Sequence, residues 1–530
     1  MLVWAALLAA LVVQPGESGS VDTARRLQTT HWLWTSAPAV LPADYPEFGL
    51  KGRNNEIYPW YGIGQSLVML PPDIATAALI RAVPKLRRFE ELNALIVTYT
   101  VSPILCVLAV LMTFRFLRLL HFTENESVAG ALALLLGTTF LHYTQNMMEN
   151  NLMLLLTVTG LYLHFKWLRT GSTLALAGGS AALGANLLVR LTTGLNVIAV
   201  APIIALCLGA NGWRQAVLRL RDYAIALVSS CAFFLAIDRA YHFYRFGECC
   251  NTYIDIYARQ QHQLNPLLPA AFPYTTPFSH GFWGALITPE KSIFLFDPLL
   301  ILLVILVITA WKQFSEEIRA YVVSLTVILI AYIAFHARFD FWSGDVAWGD
   351  RYLSTPVQLL AMMSVPLLLR HWAELAQVVR AAGLAILAAA VAVQAASVAL
   401  WYPLEFRQMT FLGHPTFVVG LRFRNIAAMA LDKMAAWHLT NNLTQDNFRA
   451  TGFYFYPFLL MRRHADLPAW STVLLAGGWI ALVGGLVWVL FVIGSRARTG
   501  WATGSAGEPA RQSGIRGEHS STVLLQKRGV

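Results

Sequence analysis

The sequence FWSGDVAWGDRYLST, residues 341–355, is a polar and aromatic stretch between two hydrophobic ones, residues 320–337 and 351–370. It holds three aspartate or arginine side chains within seven residues, at Asp345, Asp350 and Arg351. Charged groups beside a membrane boundary are costly to desolvate, so they usually mark a functional site. We therefore expect a membrane protein with a binding or catalytic loop at one face.

Composition supports a membrane protein along the whole chain. Of the 530 residues, 57% are hydrophobic and 13% are charged, and the mean hydropathy is +0.54. The apolar residues fall in runs of about 17 to 23, which as helices cross roughly 30 Å of hydrocarbon. We predict an all-α polytopic membrane protein, a bundle of about 12 transmembrane helices with outer-face loops and juxtamembrane helices. The predicted spans are residues 2–13, 92–114, 127–145, 150–168, 172–188, 194–210, 222–240, 292–310, 320–337, 351–370, 380–401 and 470–494.

The formal net charge of +10 raises the question of nucleic acid as a partner. The basic residues, however, lie in short connections beside hydrophobic stretches, where orientation in the bilayer accounts for them. We therefore expect membrane lipids and no nucleic acid around this chain. The five cysteines indicate no metal site, because the adjacent pair Cys249 and Cys250 has no second CxxC or His partner at zinc spacing.

The positive-inside rule puts the basic connections in the cytoplasm and the unusual residues outside. The predicted outer loops are residues 14–91, 142–150, 241–291 and 336–350. The stretch from Gly62 to Ile80 is read as juxtamembrane or re-entrant, because a further span would invert every later loop. The predicted domains are a transmembrane catalytic domain (1–401), an outer-face segment (402–469), a last transmembrane helix (470–494) and a disordered cytoplasmic tail (495–530).

Two carboxylates on the predicted outer face are candidates for catalysis. Asp22 follows the first hydrophobic stretch, and Glu149 lies between two uncharged ones. Asp22 could simply cap a helix that starts at Thr23, with Arg25 and Arg26 on its solvated face. Glu149 could likewise be the favourable charge at a helix start. The alternative is that Asp22 is a general base and that Glu149 faces a ligand.

Three basic residues on the same face are candidates for binding phosphate. Arg190 and Lys291 lie next to predicted spans, where long side chains also reach the interface simply for solvation. Arg351 follows Asp350 at the start of a predicted helix, so it pairs either with that neighbour or with an anion at the helix end. A planar guanidinium is suited to gripping phosphate through two parallel hydrogen bonds.

The order of these features resembles the GT-C superfamily of membrane glycosyltransferases. The resemblance is to the lipid-carrier-dependent group that includes the protein O-mannosyltransferases and the lipid A aminoarabinose transferase. It is carried by Asp22, by EIYPWYGIGQSL (56–67) and by Glu149, in that order. TPEKSIFLFDPLL (288–300) is similar to an SPxKGLFxYSP segment of the family, and WSGDVAWGDRYLSTP (342–356) resembles its WxGGxxxGxRYLxPxxP signature.

The resemblance implies transfer of a sugar from a polyprenyl-phosphate donor to a hydroxyl of a lipid, glycan or protein. It also implies an outer-face location in the bacterial cytoplasmic (inner) membrane, facing the periplasm. Asp22 would be the base of an inverting displacement and Glu149 would orient the acceptor or sugar, while Arg190, Lys291 and Arg351 would hold the leaving phosphate. The expected substrate-binding residues are Tyr58, Tyr61, Trp342, Asp345, Trp348, Asp350 and Tyr352.

One departure from the family concerns metal. Thr23 stands where the family commonly has a second acidic residue, so we expect no cofactor, although the sequence leaves a divalent metal open. Two other classes of function are weighed. A secondary transporter would favour internal repeats and charges near the bilayer midplane, and we find neither. A non-catalytic envelope assembly protein would need no pair of aligned carboxylates.

Overall fold

The computed structural model describes residues 1–41, 48–197, 200, 204, 213–440, 448–464 and 467–504. These residues form a predominantly helical protein. The helices of the first part are Leu2–Val13, Val21–Trp32, Gly64–Ala82, Leu92–Leu119, Glu124–Gly137, Phe140–Asn146, Asn150–Thr170 and Thr173–Ala185. Those of the second part are Trp213–Phe246, Tyr253–Leu264, Phe278–Ile287, Ile293–Phe296, Leu299–Ala310, Glu316–His336, Ser354–Ala361, Ser364–Arg370, Gln377–Ala399, Leu404–Leu412, Val418–Ala430, Tyr456–Arg463 and Ala469–Gly504.

A small β-hairpin departs from the all-α prediction. Strand Gly49–Lys51 pairs antiparallel with strand Ile57–Pro59, with Leu50 opposite Tyr58. Buried Leu50 and Tyr58 pack with Phe246 and Ile256 in a separate apolar cluster. The pairing satisfies only the inward-facing backbone groups of the two strands, and the Gln260 side chain hydrogen-bonds the outward amide and carbonyl of Lys51 at 3.2 and 2.7 Å.

Five described helices are long and apolar enough to cross a membrane. They are Leu92–Leu119, Val217–Phe246, Glu316–His336, Gln377–Ala399 and Ala469–Ala497. The pair Glu124–Gly137 and Phe140–Asn146 would make a sixth span, bent by 55°. The membrane class of the prediction is therefore supported, whereas the count of about 12 spans is not confirmed.

Several of the other predicted spans differ from a single long helix or lie partly outside the described residues. Apolar helices at Leu2–Val13, Thr173–Leu188 and Leu299–Gln313 are shorter than a bilayer requires. The predicted span 351–370 is broken into Ser354–Ala361 and Ser364–Arg370. Much of the predicted span 194–210 lies outside the described residues. Hydropathy alone does not register such breaks, since the residues on both sides of a break stay apolar.

Two segment predictions also change at their boundaries. The last predicted span, 470–494, is part of a longer helix that runs from Ala469 to Gly504, so residues 495–504 of the expected disordered tail are helical. Residues 505–530 of that tail lie outside the described residues. The expected outer loop segment 402–469 contains the helices Leu404–Leu412, Val418–Ala430 and Tyr456–Arg463. The expected juxtamembrane stretch is a continuous helix, Gly64–Ala82, that holds Pro71 and Pro72.

The short helix Val21–Trp32 is fixed at the corner where the helices Phe140–Asn146 and Asn150–Thr170 meet. Its N-cap is Ser20, whose hydroxyl accepts a hydrogen bond from the Thr23 amide at 3.1 Å. Thr23 Oγ1 donates to the Asn146 carbonyl at 2.9 Å. Gly19 has a φ of 69° and lies so close that a Cβ there would stand 2.8 Å from Asn146 Cα. The corner thus brings the helix that carries Asp22 against the segment that precedes Glu149.

Candidate active site

Asp22 faces the loop at residues 341–352 and not the solvent. It lies in the first turn of Val21–Trp32, with 4% of its surface exposed. The Arg351 guanidinium donates to Asp22 Oδ2 through Nη1. Since Ser20 is the N-cap, the local interpretation of Asp22 as a helix cap is wrong. The expected pairing of Arg351 with its neighbour Asp350 is replaced by a pair between segments 329 positions apart in the chain.

Glu149 is gripped by two arginines. Arg26 Nη2 lies 2.6 Å from Oε2, and Arg190 Nη2 donates to Oε1. Burial alone would raise the pKa of Glu149, but the charges of Arg26 and Arg190 outweigh it and lower the pKa to about 2. Glu149 is therefore ionised at neutral pH, and it lies directly before the first residue of the helix Asn150–Thr170.

Arg26 is a site residue that the sequence analysis placed on a solvated face. In the structure, Arg25 and Arg26 are both buried. Arg26 lies one helical turn after Asp22, so the two side chains share a face of the same helix and reach different partners. Its guanidinium carbon stands 4.0 Å from the centre of the Tyr61 ring. The i, i+4 spacing of an acid and a base in DTARR was the available signal.

The Tyr352 ring lies beside these ion pairs and contacts two of their arginines. Its ring stacks on His336 with centres 4.4 Å apart and planes at 12°. The guanidinium carbons of Arg190 and Arg351 lie 5.0 Å and 5.5 Å from the centre of the same ring. Such contacts hold a guanidinium flat while leaving its in-plane N–H groups available.

Tyr61 closes the cluster on the side of Asp22. Burial raises the pKa of Tyr61 well above its usual range, and the negative charge of Asp22 raises it further. Tyr61 is consequently a neutral hydroxyl that can donate a hydrogen bond. The structure therefore brings together six of the predicted site residues: Asp22, Tyr61, Glu149, Arg190, Arg351 and Tyr352.

The cluster has a net positive charge and unused hydrogen-bond donors that an anion could bind. Three guanidinium groups and two carboxylates leave one net positive charge. Arg26 Nη1 and Arg351 Nε are buried and have no hydrogen-bond partner among the described residues. Buried donors without partners cost free energy unless a ligand satisfies them. A phosphate oxygen would satisfy both the charge and the donors.

Lys291, a predicted phosphate-binding residue, is hydrogen-bonded to the loop 341–352 in the structure. Its ammonium donates to the carbonyl oxygens of Asp345, Ala347 and Gly349, at 2.6, 2.8 and 3.2 Å. All three N–H donors are used, so Lys291 ties down the loop instead of facing an open anion site. Burial lowers the pKa of Lys291 to about 8, although the charge of Asp350 opposes this.

The loop at Asp350 also differs from the predicted helix start. The helix begins at Ser354, so Asp350, Arg351 and Tyr352 form a turn in front of it. Asp350 Oδ1 accepts the Tyr352 amide at 3.0 Å. Burial raises the pKa of Asp350 to about 7, against the lowering effect of Lys291. Asp350 thus shapes the turn, so the helix start expected at Asp350 is wrong, while phosphate binding at this turn stays a prediction.

Four other predicted substrate residues lie away from the cluster. Trp348 is 1% exposed and packs on Phe296 with ring centres 4.9 Å apart. Trp342 lies against His280, and the hydroxyl of buried Tyr58 donates to Glu56 at 2.6 Å. The Asp345 side chain is exposed on the outside of the loop. Aromatic residues near a membrane boundary anchor loops as well as bind ligands, and the sequence alone could not separate these roles.

Metal binding has little support in this arrangement. Within the described ranges, no group of three His, Cys, Asp or Glu side chains is placed to hold a metal ion. Both carboxylates of the cluster are engaged by arginine. The expectation of no cofactor stays a prediction.

Comparison with known proteins gives structural likenesses and no sequence match. No protein-family model matches the chain, and no curated protein matches its sequence. The oligosaccharyltransferase of Archaeoglobus fulgidus in its apo form superimposes with a TM-score of 0.41 at 16% sequence identity. The alignment covers 75% of this chain and 55% of that one, so the chain spans about half the length of that protein. The resemblance to the GT-C superfamily stays a prediction.

Proposed function

We propose that this chain is a membrane glycosyltransferase that moves a sugar from a polyprenyl-phosphate donor to a hydroxyl of a lipid, glycan or protein. The observation that carries the proposal is the buried cluster of two carboxylates and three arginines at one corner of the helices. Glycosyl transfer from a phosphate needs one group that accepts a proton and another that holds the departing anion. The cluster supplies both kinds of group side by side.

In the proposed reaction, the acceptor oxygen attacks the anomeric carbon while Asp22 takes its proton. The bond from the anomeric carbon to the phosphate oxygen breaks, and the bonding electrons leave on the lipid phosphate. Attack on the side opposite the leaving group inverts the anomeric centre. Arg26, Arg190 and Arg351 hold the phosphate as its charge increases, and Glu149 orients the sugar or acceptor hydroxyls.

This mechanism requires an exchange of partners by Arg351. In the structure Asp22 is paired with Arg351, so its Oδ2 is occupied by the guanidinium and is not free to accept a hydrogen bond from an acceptor hydroxyl. A donor phosphate that takes Arg351 would leave Asp22 free to accept the proton. Donor binding would therefore precede deprotonation of the acceptor. The proposed location is the outer face of the bacterial cytoplasmic membrane, where the basic loops of the sequence place this corner.

The direct test uses the purified chain in detergent with farnesyl phosphate, a short lipid phosphate, and farnesol, its neutral counterpart. We expect farnesyl phosphate to bind at least about tenfold more tightly, because charged hydrogen bonds are lost in farnesol. Equal affinity for the two lipids would refute the phosphate site. Transfer itself is tested with radiolabelled sugar polyprenyl phosphates and a membrane extract as acceptor, and the signal should vanish in Asp22→Asn. Arg169→Lys, in an exposed ion pair with Glu317, is the matched control and should keep full activity.

A further inference from the structure

A fully buried ion pair outside the candidate active site lies behind the loop 341–352. Arg422, in the helix Val418–Ala430, donates to both oxygens of Glu405, at 2.7 and 2.6 Å. Both side chains have no exposed surface. Asn425 donates to Glu405 Oε1 at 2.9 Å, so the carboxylate is further satisfied. An ion pair this deeply buried is costly unless each group is fully hydrogen-bonded, as it is here.

The same arginine also closes the end of a long helix. Arg422 Nη1 donates to the carbonyl oxygens of Ala396, Ser397 and Leu400, at 3.2, 2.9 and 3.0 Å. These carbonyls belong to the last turn of Gln377–Ala399 and the residue after it, where intrahelical donors run out. Arg422 thereby joins three helices at one point.

This point is in contact with the loop of the site. The guanidinium carbon of Arg422 lies 4.9 Å from the centre of the Trp348 ring. Trp348 is three residues before Arg351, and its carbonyl accepts from the Tyr143 hydroxyl at 3.2 Å. A second contact comes from the neighbour of Glu405, since Lys291 Nζ stands 4.7 Å from the centre of the Phe406 ring. Lys291 is the residue that binds three carbonyls of the loop.

We propose that Arg422, held by Glu405, is a positioning residue that fixes Trp348 and through it sets the place of Arg351. The residues between Trp348 and Arg351 include Gly349, whose φ is 70°, so the backbone there depends on its surroundings for a defined path. The significance of Arg351 for an anion rests on the proposed function. The effect on the order of the loop does not, and it can be measured separately.

The test compares Arg422→Leu with Arg424→Leu, which removes an exposed arginine on the same helix whose hydrogen bond within the described part of the chain is to the Trp437 carbonyl. The first measurement is hydrogen–deuterium exchange of residues 341–353, and the second is affinity for farnesyl phosphate. In Arg422→Leu we expect faster exchange in this loop and affinity lowered by about tenfold to a hundredfold, as for a displaced binding group. In Arg424→Leu neither quantity should change.

Two further variants keep the proposal testable if Arg422→Leu does not fold. Trp348→Phe retains an apolar ring but weakens the cation–π contact, so it should show the same two changes to a smaller extent. Arg422→Lys keeps the charge without the bidentate fork and should be intermediate. Unchanged loop exchange in folded Arg422→Leu or Trp348→Phe would overturn the proposal, as would faster exchange with undiminished affinity. If the unaltered chain binds no farnesyl phosphate, faster loop exchange in Arg422→Leu would still support positioning while the proposed function fails.

Discussion

Replacement of Asp22 by Asn should have opposite effects on catalysis and on binding. The amide keeps the size of the side chain but cannot accept the proton, so transfer should fall by about two to four orders of magnitude. The same change removes the negative charge that engages Arg351. Arg351 then becomes more available to a phosphate, and affinity for farnesyl phosphate should rise. A variant that binds better and does not turn over is an unusual combination.

The size of the gain in affinity follows from the strength of the Asp22–Arg351 ion pair, which phosphate binding must break. Two unit charges about 4 Å apart attract by about 4 kcal/mol at an effective dielectric constant near 20. The Asn oxygen can still accept a hydrogen bond from the cation, which retains on the order of 2 kcal/mol. The difference of about 2 kcal/mol corresponds to roughly thirtyfold tighter binding of the phosphate.

Isothermal titration calorimetry with farnesyl phosphate in detergent measures this affinity, and thermal unfolding provides a second observation. Without ligand, Asp22→Asn should unfold at a lower temperature, because Arg351 is left as a largely buried charge without its carboxylate. With saturating ligand, the variant should recover most of that loss. Glu317→Gln, which breaks the exposed pair with Arg169, is the control and should alter neither quantity measurably. Unchanged or weaker binding by Asp22→Asn would refute the partner exchange and with it the order of substrate binding.

Three other results are expected. Arg190→Lys and Arg351→Lys should each weaken farnesyl phosphate binding, and the double variant should lose less than the sum, because both groups share one anion; full additivity would assign them separate roles. Burial raises the pKa of Glu149, but the arginines outweigh burial and lower it to about 2. The ionised Glu149 therefore contributes on the order of 3 kcal/mol to the free energy of unfolding. This contribution is complete above the unfolded pKa near 4.5 and is lost as the pH falls towards 2. The stability difference between the unaltered chain and Glu149→Gln should therefore shrink from about pH 5 to about pH 3, and a constant difference would contradict the assignment. With the native cysteines replaced, single cysteines in predicted outer loops should react with an impermeant thiol reagent from the opposite side to those in predicted cytoplasmic loops. Suitable exposed positions are Arg87 and Gln263 on the predicted outer side and Lys312 on the predicted cytoplasmic side.

The sequence identified the residue types of the candidate site better than their partners. Asp22 and Arg351 could each be selected as a charged group next to an apolar stretch, but nothing in the chain indicates that they touch. The same holds for Glu149. Its position at a predicted helix start does not indicate that Arg26 is its partner. Burial of Arg26 is decided by the helix Gly64–Ala82 and the corner at Asn146, which are tertiary contacts. Local patterns cannot contain that information.

In the loop 341–352 the sequence could not separate residues that hold the loop from residues that bind a ligand. The sequence offers Trp348 and Lys291 as ligand-binding residues, and that role stays a prediction. In the structure both hold the loop, through the Phe296 ring and through three carbonyl oxygens. Aromatic and basic residues serve structure and binding equally well, and only the position of their partners separates the two. Hydropathy likewise averages over helix breaks such as the one between Ser354–Ala361 and Ser364–Arg370, so it cannot predict them.

The placement of Asp22 and Arg26 one turn apart on a single twelve-residue helix has a kinetic consequence. Asp22 holds the pair with Arg351, and Arg26 holds the pair with Glu149. A rigid rotation or shift of this helix would move Asp22 and Arg26 together and so change both pairs in the same movement. The two halves of the cluster would then open and close as one unit, so a rapid-mixing experiment on ligand binding should show a single relaxation instead of two independent ones.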